Sequence, residues 1–183
     1  MKKVVIISGS PTENGNTDLL CRAFAEGARE AGNEVETICL REKDIHYCRG
    51  CEACVKTGGG CVQKDDMAEL IQKVHAADVF VLATPIYFMS VSAQLKTFID
   101  RFIAGEDYMR NARGKKAYLL TVSAAPGDYP GNAAGADESY LGFLRCLRNV
   151  ENGGILHAGD CYSHGSIRET NWPEKARALG KSV

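Results

Sequence analysis

The chain has 183 residues, with 22 Lys plus Arg against 23 Asp plus Glu and a formal net charge of −1. That length predicts a single domain over residues 1–183, and the even charge excludes a nucleic-acid reader, which needs a basic surface to neutralise phosphates. Hydrophobic residues at 45% and charged residues at 25% exclude a largely disordered chain.

In chain order, the apolar run Val4 to Ile7 reads as a first strand. It is too short for a signal sequence, and no later segment approaches a membrane span, so the expectation is a cytoplasmic protein with no membrane partner. Asn16-Thr17-Asp18 opens a helix carrying Leu20, Phe24, Gly27, Ala28 and Ala31, closed by Gly32-Asn33. Val35 to Leu40 alternates, with Glu34 and Glu36 on one face, which suits an edge strand. A connection of about 25 residues follows, a length more often functional than idle. Asp66-Met67-Ala68-Glu69 has the form of a capping box before Leu70, Ile71 and Val74. Val79 to Ala83 is a continuously apolar strand, and Ser92 caps a helix with Leu95, Phe98, Ile99 and Phe102 inward. Tyr118 to Val122, a helix over about 136–150, a strand at Ile155 to Ala158 and a last helix opened by Pro173 complete the series. Five strands alternating with five helices predict an α/β fold: a three-layer, doubly wound, five-stranded parallel sheet of flavodoxin-like order 2-1-3-4-5. Its ligand crevice lies beyond the carboxyl ends of strands one and three.

Three loops reach that crevice. In Ser8 to Thr17, the polar groups of Ser10, Thr12, Asn14, Asn16 and Thr17, with Gly15, can join a helix N-terminus in caging a phosphate. Neither a Walker loop nor a G-x-G-x-x-G pattern is present, so a monophosphate held by neutral donors fits better than a nucleotide polyphosphate. The bland alternative is a set of ordinary turn and cap residues. After strand three, Pro85-Ile86-Tyr87-Phe88-Met89 puts aromatic residues where a loop is ordinarily polar, either against a flat ring system or in an oligomer interface. After strand four, Ser123-Ala124-Ala125-Pro126-Gly127-Asp128-Tyr129 is small enough to bring backbone amides close to a ligand. One phosphate and one flat heterocycle on a doubly wound sheet point to FMN.

The motifs Gly9-Ser-Pro-Thr-Glu-Asn-Gly-Asn-Thr17, Cys-x2-Cys-x2-Cys-x6-Cys followed by Lys64-Asp65-Asp66-Met67, and Thr84-Pro85-Ile86-Tyr87-Phe88 running on to Ser92-Ala93-Gln94-Leu95-Lys96-Thr97-Phe98-Ile99-Asp100-Arg101 together resemble the NADPH-dependent FMN reductase and iron-sulfur flavoprotein family. The resemblance covers essentially the whole chain. It implies FMN phosphate at Ser10 to Thr17, isoalloxazine contacts from Pro85 to Phe88, NAD(P)H as co-substrate, and a homodimer or homotetramer with flavin sites near subunit interfaces. Relatives commonly carry Arg where this chain has Thr12, which removes a charge-assisted phosphate partner, and a Gly-Gly-rich stretch where it has Ala124-Ala125-Pro126-Gly127.

Eight cysteines in a reducing compartment read as core residues, metal ligands or redox thiols rather than disulfides. Cys21, Cys39, Cys146 and Cys161 are scattered among apolar residues and read as core. Cys48, Cys51, Cys54 and Cys61 fall together in the long connection, residues 41–65, where Gly58-Gly59-Gly60 permits a sharp return. Their spacing suits a 4Fe-4S cluster, a set of free redox thiols, or zinc, the last less apt because zinc knuckles come as two separated pairs. The four histidines, His46, His75, His157 and His164, are far apart and read as surface or packing residues.

The leading expectation is an FMN-dependent NAD(P)H oxidoreductase acting on a small acceptor such as a quinone, a nitro or azo compound, or a flavin. The alternative is an iron-sulfur flavoprotein that carries electrons between redox proteins. Flavin chemistry needs no obligatory acid-base side chain, so no catalytic residue is assigned.

Overall fold

The computed structural model describes residues 1–126 and 129–183. Five strands, β1 (Lys3–Ser8), β2 (Glu34–Cys39), β3 (Val79–Pro85), β4 (Lys115–Val122) and β5 (Val150–Ala158), form one sheet of order β2-β1-β3-β4-β5. Every pairing is parallel. The strands with unbroken apolar runs, β1, β3 and β4, are interior and buried on both faces, while β2, with Glu34 and Glu36 exposed, is an edge.

The two-residue alternation of β1 sorts the core. Val5 and Ile7 join Phe80, Leu82 and Leu119 on one face, and Val4 and Ile6 join Val79, Val81 and Leu120 on the other. The first face is covered by α3 (Met67–Ala76), α4 (Ala93–Arg101) and α6 (Ala134–Leu147), and the second by α1 (Asn16–Glu30) and α7 (Trp172–Lys181). The last two helices touch backbone to backbone. A Cβ on Gly27 would run into the Arg177 carbonyl, and one on Gly180 into the Phe24 carbonyl.

Four local expectations change. Two short helices, α2 (Ala53–Lys56) within the cysteine-rich connection and α5 (Glu106–Asn111) after α4, add to the five expected. The capping box does not form: the Asp66 carboxylate makes no cap on α3 and instead accepts the Asp44 N–H at 2.9 Å, while Asp65 accepts the N–H of Met67, the first residue of α3, at 3.2 Å. β5 begins at Val150, where the helix was expected to end, ahead of the expected Ile155; within it, the Tyr118 ring occupies the space a side chain at Gly153 would need. Cys146 is exposed and Cys39 half-buried, leaving Cys21 and Cys161 as the core thiols. Leu144 and Leu147 face inward on α6, which turns position 146 outward. No helix is long and apolar enough to cross a membrane.

Candidate active site

A cavity of about 420 Å³ opens beyond the carboxyl ends of β1, β3 and β4, where a doubly wound sheet places its ligand. Ser10, Thr12, Gly15, Asn16 and Thr17 line one side, Pro85, Ile86 and Tyr87 another, and Ser123 and Ala124 a third. Those ten of the thirteen expected cofactor contacts are brought together by the fold. The other three, Asn14, Phe88 and Ala125, stand outside the lining, and Gly127 and Asp128 of the third loop lie outside the described residues.

The first loop is bonded from behind. The Gly9 N–H donates to the Ala83 carbonyl at 2.8 Å, and Ser92 Oγ donates to the Gly9 carbonyl at 2.7 Å while accepting the Leu95 N–H at 3.3 Å. Ser92 thus caps α4 and ties the loop to it. A Cβ on Gly9 would lie 2.7 Å from Leu95 Cβ, so only glycine permits this approach. Asn14, at φ 54°, turns the chain, its N–H donating to Asp18 and its side chain receiving Arg22. Ser10 Oγ accepts the Thr12 N–H at 3.3 Å and donates to the Thr12 carbonyl at 3.2 Å.

α1 starts at Asn16 with Gly15 as N-cap and no side chain capping it. Its first-turn N–H groups have no partner in a preceding turn, and the positive end of the helix dipole faces the cavity. The buried Asp18 carboxylate is neutralised by Arg41, with Nη2 to Oδ2 at 3.0 Å. An anion of phosphate size fits this cradle on the chain's own geometry.

Opposite, the Ile86 N–H donates to the Val122 carbonyl at 2.7 Å, and Tyr87 and Ser90 exchange two hydrogen bonds of 3.0 Å. Phe88 and Met89 sit at the tip of this turn at φ 49° and 63°, a left-handed conformation unusual for large side chains. Phe88 is fully exposed. The Ala125 carbonyl accepts Ser123 Oγ and the Asp160 N–H, both at 3.0 Å, so it joins loops behind the cavity instead of lining it.

A fourth wall, Cys161 to His164, is not apparent from the sequence. The chain after β5 crosses back toward α1, against which α7 packs. Asn16 holds it: the amide nitrogen donates to the carbonyls of Cys161 (3.3 Å) and Ser163 (2.8 Å), and the amide oxygen accepts the Ile167 N–H (3.1 Å). His164 Nε2 lies 3.0 Å from the Glu13 carbonyl. Burial pushes the Cys161 thiol up to about 11, which keeps it protonated and unreactive at neutral pH.

The cysteine-rich connection is anchored at both ends by one buried arginine. Arg101 is 1% exposed, and its guanidinium donates to Asp65 through Nη1 (2.6 Å) and Nη2 (2.9 Å) and to the His46 carbonyl through Nη1 (2.6 Å). Between those anchors, Cys48 and Cys51 are exposed and Cys54 and Cys61 half-buried. Gly58, Gly59 and Gly60 all have positive φ, the sharp return expected of three glycines. The donor set has the chemistry of an iron-sulfur or zinc site. Its arrangement here does not, since among the described residues no three Cys, His, Asp or Glu side chains surround a common point. A larger cavity of about 520 Å³ lies between this segment and the helices, touching Cys54, His75, Tyr108 and Arg110. It sits against the end of α3 that leads into the amino end of β3, away from the ligand edge of the sheet.

Over residues 2–137, which include the first three cavity loops, the chain matches the family of NADPH-dependent FMN reductases. It is 39% identical to an iron-sulfur flavoprotein of Archaeoglobus fulgidus over 184 residues, 99% of this chain and 78% of that one. It is 37% identical to an iron-sulfur flavoprotein of Methanosarcina thermophila over 165 residues, 90% of this chain and 81% of that one. An NAD(P)H:quinone oxidoreductase of Methanothermobacter marburgensis superposes with a TM-score of 0.79 across 99% of this chain and 95% of its own, and at 20% identity it speaks for the fold alone. With its crevice at the predicted edge of the sheet and the match running through the loops that build it, the chain belongs to the NADPH-dependent FMN reductase family.

Proposed function

We propose that the chain takes electrons from NADH or NADPH on FMN bound in the 420 Å³ cavity and passes them to a small acceptor such as a quinone. The observation that carries this reading is the pairing of an uncapped α1 N-terminus with an apolar wall at Pro85, Ile86 and Tyr87 across one crevice. An anion at one end and a flat ring at the other require that combination. When bound, FMN supplies the hydride chemistry. The residues bind and orient it: α1 and the Ser10 to Thr17 loop take the phosphate, and the Pro85 to Tyr87 wall with Ser123 and Ala124 borders the ring. No side chain in the lining is needed as an acid or base. Phe88, exposed at the rim, fits the proposed homodimer, in which a second copy covers the mouth. The test is anaerobic turnover of NADH and NADPH with a soluble quinone. Oxidation dependent on added FMN supports the reading, and turnover only with a reduced ferredoxin-type donor overturns it.

A second reading, an electron carrier with a 4Fe-4S cluster on Cys48, Cys51, Cys54 and Cys61, is favoured by the four thiols on one segment and by the iron-sulfur flavoproteins among the relatives. It requires the segment to gather its thiols around a common centre. Iron and sulfide analysis of protein purified without oxygen separates the two readings.

A further inference from the structure

The phosphate end of the cavity lacks a fixed cation. Among the described residues its lining contains no Lys or Arg. The nearby arginines are engaged elsewhere: Arg41 on Asp18 and the Ser10 carbonyl, Arg22 on Asn14, and Arg168 in the space beside Gly165. Asp18 is matched by Arg41, and the exposed Glu13 carboxylate receives the Asn14 amide. One protonatable base lines the cavity, His164. Its Nε2 faces the Glu13 carbonyl, which only accepts, so Nε2 carries hydrogen and Nδ1 is the ring's other polar atom.

We propose that His164 is a phosphate-binding residue whose imidazolium supplies the positive charge that the rest of the described lining lacks. Two independent features place it for this role. Its bond to Glu13 joins the segment after β5 to the loop that opens α1, so the ring stands at the anion end of the cavity and not at the ring end. The three bonds from Asn16 hold that segment in place, so little ordering is required when the anion arrives. The ligand class is a terminal phosphate monoester, and the inference rests on the reading of this cavity as the FMN site.

The test compares FMN with riboflavin, which has the same ring system and no phosphate, on the 183-residue chain freed of flavin. His164→Gln retains a donor for the Glu13 carbonyl and removes the charge, and His164→Arg restores a fixed charge. Loss of one charge-assisted contact corresponds to about a ten-fold fall in FMN affinity in H164Q, with riboflavin affinity unchanged. H164R is expected to bind FMN within about three-fold of the wild type, and added salt to narrow the gap between wild type and H164Q. An unchanged FMN-to-riboflavin ratio in H164Q, or equal losses for both flavins, overturns the role of His164 while leaving the cavity reading intact. If the unsubstituted chain binds neither flavin, the cavity reading falls and this inference falls with it.

Discussion

Asp65→Asn tests how the cysteine-rich segment is held. The Asp65 carboxylate, with no exposed surface, accepts four hydrogen bonds: Arg101 Nη1 and Nη2 at 2.6 and 2.9 Å, and the N–H groups of His46 and Met67 at 3.1 and 3.2 Å. Arg101 is 1% exposed, and its Nε has no partner among the described residues, so the guanidinium has no water to fall back on. Asparagine keeps one acceptor oxygen and turns an N–H toward the arginine. Leaving a buried charge without its counter-ion costs about 3–5 kcal/mol. The acid limb carries the same signature. The Arg101 guanidinium holds the Asp65 carboxyl down at about 2, against an ordinary 3.8. A depressed carboxyl contributes stability that is complete above the unfolded value and is lost as pH falls through the folded one, here across about pH 4 to 2, amounting to about 2 kcal/mol. Urea unfolding at pH 7 should therefore show D65N weaker by about 3–5 kcal/mol, with the gap shrinking by about 2 kcal/mol toward pH 2. A loss under about 1 kcal/mol at pH 7, or a gap that does not change with pH, refutes the reasoning.

Gly27→Ala should destabilise by about 1–3 kcal/mol in thermal melts, because the new methyl meets the Arg177 carbonyl where α1 and α7 touch. Asn16→Ala should speed amide exchange across residues 161–167 and weaken FMN binding, since three hydrogen bonds to that wall are lost together. Cys54→Ala should leave flavin binding unchanged and abolish any bound iron, as measured by absorbance and metal analysis. Phe88→Ser should leave monomer stability within about 0.5 kcal/mol while shifting sedimentation toward the monomer if a second copy covers that rim.

The sheet was legible because its strands carry two distinct patterns: apolar runs in β1, β3 and β4, and the Glu34, Glu36 alternation of β2. The first three cavity loops were legible for a similar reason, since they follow strands whose carboxyl ends meet at one edge. The Cys161 to His164 wall was not, because it depends on the long return from β5 and on the tertiary bonds of Asn16, a residue read in sequence as a helix start and a phosphate ligand, with nothing pointing to residues 161–167. His164 looked like an isolated histidine until the return placed it against Glu13. β5 was read short because Asn152-Gly153-Gly154 lacks the apolar pattern of a strand; the Tyr118 ring explains glycine at 153, and a φ of 152° explains it at 154. The Asp65–Arg101 pair spans two elements far apart in the chain, so its closing of the cysteine segment is a property of the fold and not of spacing.

The most direct test of the central claim is the visible spectrum of the protein purified without oxygen, before and after reduced nicotinamide, with FMN counted by release. The account predicts about one FMN per chain and flavin bands that bleach when NADH or NADPH is added. A chain that neither retains nor takes up FMN, or a bound flavin that reduced nicotinamide leaves oxidised, would contradict it.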